Sequence, residues 1–144
     1  MLGLGVGDFI SMSTLAIKVY NAYKDAPNNY RHISEDVKPL PILIEKAVSH
    51  FESITLSGND RLLGQEILKG CRSVLEDLYS LIEKYDTLAS ANTRQVVTKF
   101  KLSTEDIATL RARLTYNTGL LSGFIQRFDI PTITMNYIIL IFLP

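Results

Sequence analysis

Four runs of apolar residues in this chain step by three and four, and no other feature restricts its fold as strongly. The first is Phe9, Met12, Ala16, Val19 and Tyr23. The second is Tyr30, Ile33, Val37, Leu40, Ile44, Ala47, Phe51 and Ile54. Ile67, Cys71, Val74, Leu78, Leu81, Tyr85 and Leu88 make the third, and Ile107, Leu110, Leu114, Asn117, Leu121, Phe124 and Phe128 the fourth. Steps alternating between three and four return to one side of an α-helix, so each run predicts a helix with one face turned to a partner. Four such faces predict an all-α fold, a bundle of four main helices with coiled-coil-like packing.

The ends of these helices follow from polar residues and prolines. Asp8 is placed to cap the first helix, which stops before Ala26-Pro27. Asn28 or Asn29 can cap the second. Ser57-Gly58-Asn59-Asp60 reads as a turn, with Asp60 as cap of the third. Ser103-Thr104-Glu105-Asp106 has the spacing of a capping box for the fourth, Ser103 at the N-cap and Asp106 at N3. Residues 89–101 read as a connector. Pro39 and Pro41 interrupt the second run, and a proline inside a helix costs about 3 kcal/mol and a hydrogen bond. Because the run keeps its phase across both, the second helix is expected to be kinked or broken there into roughly collinear halves.

A chain of 144 residues is the size of one domain. The bundle is expected over 1–128, followed by an atypical hydrophobic tail at 129–144. Within that tail Ile138-Ile139-Leu140-Ile141-Phe142-Leu143 carries no charge, is too short to span a bilayer, and is an aggregation hazard if exposed. Lys and Arg number 15, as do Asp and Glu. A net charge of zero gives no broad electrostatic footprint for nucleic acid. A single cysteine leaves no internal disulfide and points to a reducing, cytoplasmic setting. The start has no basic segment ahead of its apolar run, as a secretory leader would.

Little here suggests reaction chemistry. The lead MLGLGVGD lacks the Gly-Lys-Ser/Thr end of a phosphate loop, and the two residues before Gly3 leave no room for the strand of a dinucleotide fingerprint. Leu2 stands where myristoylation requires glycine. Cys71 lies within the third run and reads as a small core hydrophobe. His32 and His50 are isolated from other metal-ligand types. In Gly119-Leu120-Leu121-Ser122-Gly123 the serine stands one place too late for a nucleophile elbow. The expectation is a non-enzymatic chain with no cofactor, metal or small-molecule substrate.

Four blocks, in this order, carry a family resemblance: GVGDFI, DAPNNYRHISEDVKPLPILIEKA, EILKGCRSVLEDLYSLIEKYDTL and STEDIATLRARLTYNTGLLSGF. Together they resemble the fungal HeLo-like N-terminal domain over about residues 3–128. GVGDFI and GCRSVLEDL are the most specific parts. The resemblance implies a helical bundle acting as an effector or adaptor in signalling related to regulated cell death, in a family that heads NLR-like ATPases and ankyrin-repeat proteins. Related HeLo domains are thought to insert an N-terminal helix into membrane. Pro39, Pro41 and the tail depart from the family pattern.

Two mechanisms are open to such a domain. In the first, the N-terminal helix is detachable and engages membrane conditionally through Leu4, Val6, Phe9, Ile10 and Met12. The glycines before Asp8 would stop that helix from growing backward. Its short apolar run, with Ala16 at its middle, makes it the helix expected to pack most weakly. In the second, the helix stays docked and the bundle is a protein-binding adaptor with no membrane activity. Proteins or a second copy are the partners expected. Asn117, polar on an apolar seam, either sets register or oligomeric state, or sits at an edge where its amide meets water.

Overall fold

The computed structural model describes residues 5–26, 28–51, 56–91 and 104–142, with side chains over 7–26, 30–49, 56–84 and 107–127. These residues form five helical segments: α1 (Val6–Lys24), α2 (Asn28–Val37), α3 (Pro39–Phe51), α4 (Gly58–Ala91) and α5 (Thr104–Phe142). No strand occurs among them. The all-α expectation holds, and every described member of the four apolar runs is buried except Leu81 and Asn117, which are half-buried.

The N-terminus of α1 differs from the expected cap. Gly5, not Asp8, is the N-cap, in extended conformation. The helix begins at Val6 and takes Gly7 into its first turn. Asp8 sits three residues in, and its Oδ2 accepts the Gly5 N–H at 3.1 Å. An acid here favours the positive end of the helix. Gly7 has open space around it, so no close approach requires a glycine there.

The break between α2 and α3 lies at Lys38. Its N–H still reaches Ser34 O at 3.0 Å, completing the last turn of α2. Pro39 is then the first residue of α3, and Pro41 falls in the same turn. First-turn positions have no intrahelical partner for an N–H, so the two prolines fall where they cost least. The apolar run stays in phase, with Tyr30, Ile33, Val37, Leu40, Ile44 and Ala47 all buried. Ser34 is buried within it, and its hydroxyl donates to Arg31 O at 2.6 Å.

Helix α4 starts ahead of the expected Asp60 cap. Ser57 Oγ accepts the Asp60 N–H at 3.2 Å and donates to Asp60 Oδ2 at 2.9 Å. Ser57 is the N-cap, and the Asp60 carboxylate holds its hydroxyl in place. Ser57→Ala should lower stability by about 1 kcal/mol, measured as a shift in urea midpoint at unchanged slope. Helix α5 begins at Thr104, just after the expected Ser103 cap, whose own contacts lie outside the described residues. It runs without a break through residue 128 and past Pro131 to Phe142. Most of the segment expected as a separate tail is therefore an extension of α5.

The helices pack as four rods, α2 and α3 making one. Rod α1 packs on α2, α3 and α4, and α5 on α4, α3 and α2. Among the described residues the diagonals α1–α5 and α3–α4 make no contact. Arg72 reaches Ser11 at 3.1 Å and Lys18 lies 4.3 Å over the Tyr79 ring, so α1 and α4 run parallel. Asp60 pairs with Arg127 at 3.3 Å and Asp77 with Arg113 at 2.8 Å, so α4 and α5 run antiparallel. Helices α3 and α4, consecutive in the chain, thus stand at opposite corners of the bundle.

Candidate functional site

The five N-terminal residues singled out by sequence do not form one surface. Phe9 is 1% exposed and Met12 fully buried, while Ile10 is 55% exposed. Leu4 and the side chain of Val6 lie outside the described residues. The whole run from Phe9 to Tyr23 is enclosed by α2, α3 and α4. Every member of this run is buried. At its end the Tyr23 hydroxyl donates to Leu78 O at 2.6 Å in the core. Tyr23→Phe should cost about 1 kcal/mol in a urea melt, the net value of one buried hydrogen bond.

Asn117 faces a glycine. A Cβ on Gly70 would lie 2.3 Å from Asn117 Oδ1 and 3.2 Å from its Cγ. Asn117 Nδ2 donates to Arg113 O at 2.8 Å, which pins the side chain in this position. The polar residue therefore fills a notch in α4 beside Gly70. Gly70 was not legible as its partner, since nothing in its sequence neighbourhood distinguishes it from a tolerated helix glycine. Next to it Cys71 is fully buried and its Sγ lies 3.5 Å from Asn117 O.

Burial pushes the Cys71 thiol up from 9.0 to about 12. A thiol held neutral at physiological pH is a poor nucleophile. Between about pH 9 and pH 12 the unfolded chain loses a proton that the folded chain keeps, so this group's contribution to stability falls as pH rises. Cys71→Ala should cost about 1 kcal/mol near neutrality and flatten the alkaline decline, as read by urea melts at several pH values.

On α1, opposite the core, Ile10, Ser13, Thr14 and Ile17 recur at positions i, i+3, i+4 and i+7. On α3, Pro41, Ile44, Glu45 and Val48 repeat the pattern. The two rows line an open groove of about 540 Å³ between the helices. Its floor is Ile44, 2% exposed, and its rim includes Ile10 and Ile17, with Ile17 47% exposed. Glu45 is the one charged lining residue. A reading that stops at the strongest run on each helix misses this second row, although its spacing is present in the sequence.

A smaller hollow of about 230 Å³ lies by the start of α1, lined by Asp8, Gln65, Leu68, Lys69 and Arg72. Asp8 there accepts the Gly5 N–H at 3.1 Å. Among the described residues no three His, Cys, Asp or Glu side chains cluster as metal ligands. No described helix is long and apolar enough to cross a membrane. No family model matches the chain, and no curated protein or solved structure matches it either.

Proposed function

We infer that the chain is a non-enzymatic intracellular signalling domain that works as an adaptor, receiving a partner helix in the groove between α1 and α3 while α1 stays docked. The observation that carries this reading is the division of α1 into two faces. Its Phe9–Tyr23 row is committed to the core, and its Ile10–Ile17 row forms one wall of the groove. The rows on these neighbouring antiparallel helices have the i, i+3, i+4 and i+7 spacing that the helix-in-groove mode reads, with Ser13, Thr14 and Glu45 standing among the apolar anchors. The likeness of GVGDFI and GCRSVLEDL to the HeLo-like domain supports the signalling role, and the single cysteine supports a cytoplasmic setting.

Magnitudes weigh against release of α1 toward a membrane. Withdrawing Phe9, Met12, Val19 and Tyr23 from the core forfeits about 1.5–3 kcal/mol each, roughly 6–12 kcal/mol together. A domain of this size has about 5–15 kcal/mol in all. Freeing the helix amounts to unfolding the bundle, unless a bilayer returns most of that energy. The test is Ile17→Asp, which charges the groove and leaves the core alone. In cells where the wild type gives a signalling output, this variant should abolish the output with an unchanged melting temperature. Full output from the folded variant would reject the groove. Binding of the folded wild type to lipid vesicles, lost in Ile10→Asp but not in Ile17→Asp, would restore the membrane mechanism.

A further inference from the structure

We propose that the outward side of α5 is a surface through which two copies of the chain pair, their α5 helices antiparallel across a two-fold axis. The inference goes beyond the groove reading and uses another corner of the bundle, since α5 stands diagonally across from α1.

From Ala108 to Gln126 no exposed residue of α5 is charged. Over the same length the exposed residues of α4 include Glu66, Lys69, Glu76, Asp77, Glu83 and Lys84. A helix side that meets only water is ordinarily charged, as α4 is. The arginines within that stretch of α5 are turned aside to neighbouring helices, Arg111 to Asp36 and Arg113 to Asp77. What is left facing outward includes Tyr116, 68% exposed, and Leu120, also exposed. Leu62 and Leu63 are exposed at the start of α4, the end that Asp60 ties to Arg127 of α5. Apolar side chains gathered on one side of two packed helices mark a contact surface.

Shape and charge both select a second copy. A Cβ on Gly119 or on Gly123 would meet nothing within 4 Å, so the bundle itself requires neither glycine. In an antiparallel two-fold pair, residues equidistant from the axis meet. An axis between Gly119 and Leu120 sets Tyr116 of one copy against Gly123 of the other, and Leu120 against Gly119. Each large side chain then meets a glycine. A parallel pair would instead level Tyr116 with Tyr116 and glycine with glycine. The same axis keeps both α4 helices on one side of the seam. Asp77, 52% exposed beside Arg113, comes level with Arg127 of the other copy, 55% exposed beside its Asp60. Two acids and two bases gather at each end of the seam, which is charge complementarity repeated by symmetry.

The area sets the strength. From Ala108 to Gln126 the face is about 27 Å long at 1.5 Å per residue. With the adjoining edge of α4 it is roughly 20 Å wide. Two such faces bury about 1,000 Å² together, at the lower limit for a specific contact. The expected product is a dimer that forms and parts with concentration. A contact of one surface with itself closes at two copies. A net charge of zero adds no long-range repulsion between them.

Sedimentation of the full chain over a wide concentration range tests this. The wild type should pass from monomer to dimer and stop there. Tyr116→Asp should weaken association by about tenfold or more while keeping the wild-type melt. Gly119→Leu should do the same by filling the space the other copy needs, in a position its own bundle leaves open. Disulfide crosslinking through one added cysteine reads the orientation, because Cys71 is buried. Gly119→Cys lies beside the axis and should crosslink to its own counterpart, whereas Ala112→Cys lies far from it and should not. Ile17→Asp, which charges the groove, should dimerise like the wild type, so the two readings fail separately. A wild type that stays monomeric, species larger than two, association that survives both Tyr116→Asp and Gly119→Leu, or crosslinking through both cysteines overturns the proposal. A monomer whose signalling output is lost in folded Tyr116→Asp would give the face to a different protein. A monomer that floats with phosphatidylcholine vesicles through Tyr116 would give it to a lipid surface. Either result overturns the second copy.

Discussion

Phe9→Asp should unfold the domain rather than free its first helix. Phe9 is 1% exposed and sits in the run that α2, α3 and α4 enclose. Truncating a buried phenylalanine costs about 3–5 kcal/mol. Placing a carboxylate in the space adds a desolvation penalty of several kcal/mol. The sum reaches the whole stability of a typical domain. Circular dichroism should show loss of a cooperative transition, and the protein should bind a hydrophobic dye. A folded Phe9→Asp protein with a melt close to the wild type would mean that α1 contributes little to the core. By contrast, Ile10→Asp changes a side chain that is 55% exposed and should leave the melt nearly unmoved.

Gly70→Val should be the most damaging change at a position that looks replaceable. Valine improves on glycine in helix propensity by a few tenths of a kcal/mol. Against this, its Cβ alone would come within 2.3 Å of Asn117 Oδ1. Rotating the amide away breaks its bond to Arg113 O, and Cγ at 3.2 Å still crowds the new side chain. Overpacking of this kind costs about 1–3 kcal/mol, and the lost hydrogen bond about 1 more. A net loss of about 2–4 kcal/mol should appear in urea melts. Asn117→Ala should then reverse its sign: destabilising alone, stabilising in the Gly70→Val background. Additive effects in that cycle would show that the two residues do not share the notch.

The core was legible because one physical rule governs it. The spacing of Phe9 to Tyr23, or of Tyr30 to Ala47, reports which side of a helix meets its neighbours, and each described member is buried. The break at Lys38 was legible too, since two prolines in phase with an apolar run leave few other solutions. What resisted reading depends on pairs of helices. Leu68, Leu75, Ile82 and Ile125 are buried although they lie off the expected rows, because α4 and α5 each pack against more than one rod. The Gly70 notch exists only once α5 is laid on α4. The groove needed both α1 and α3 in place before Ile17 and Val48 could belong to one surface. The capping shift from Asp60 to Ser57 moves the helix start by three residues, and since both residue types cap helices, sequence alone allows either.

The diagonal placement of α3 and α4 bears on how the chain comes off the ribosome. A bundle whose consecutive helices are all neighbours can grow by adding hairpins, each closing its own short loop. Here α1 and α2 can pair at once, but α4 packs on α1 and on α5, not on the rod that precedes it. Loop closure between α1 and α4 spans residues far apart in sequence, which raises its entropic cost and slows folding. The rod α2–α3 and helix α4 both wait for α5, which is made after them, to cover their remaining apolar faces. Until then the nascent chain carries two open faces at once, and it reaches its native core only when synthesis has passed the end of α5's core run. Folding of this domain is therefore expected to be a late event, and a stall in translation before residue 107 would leave a sticky intermediate for chaperones to hold.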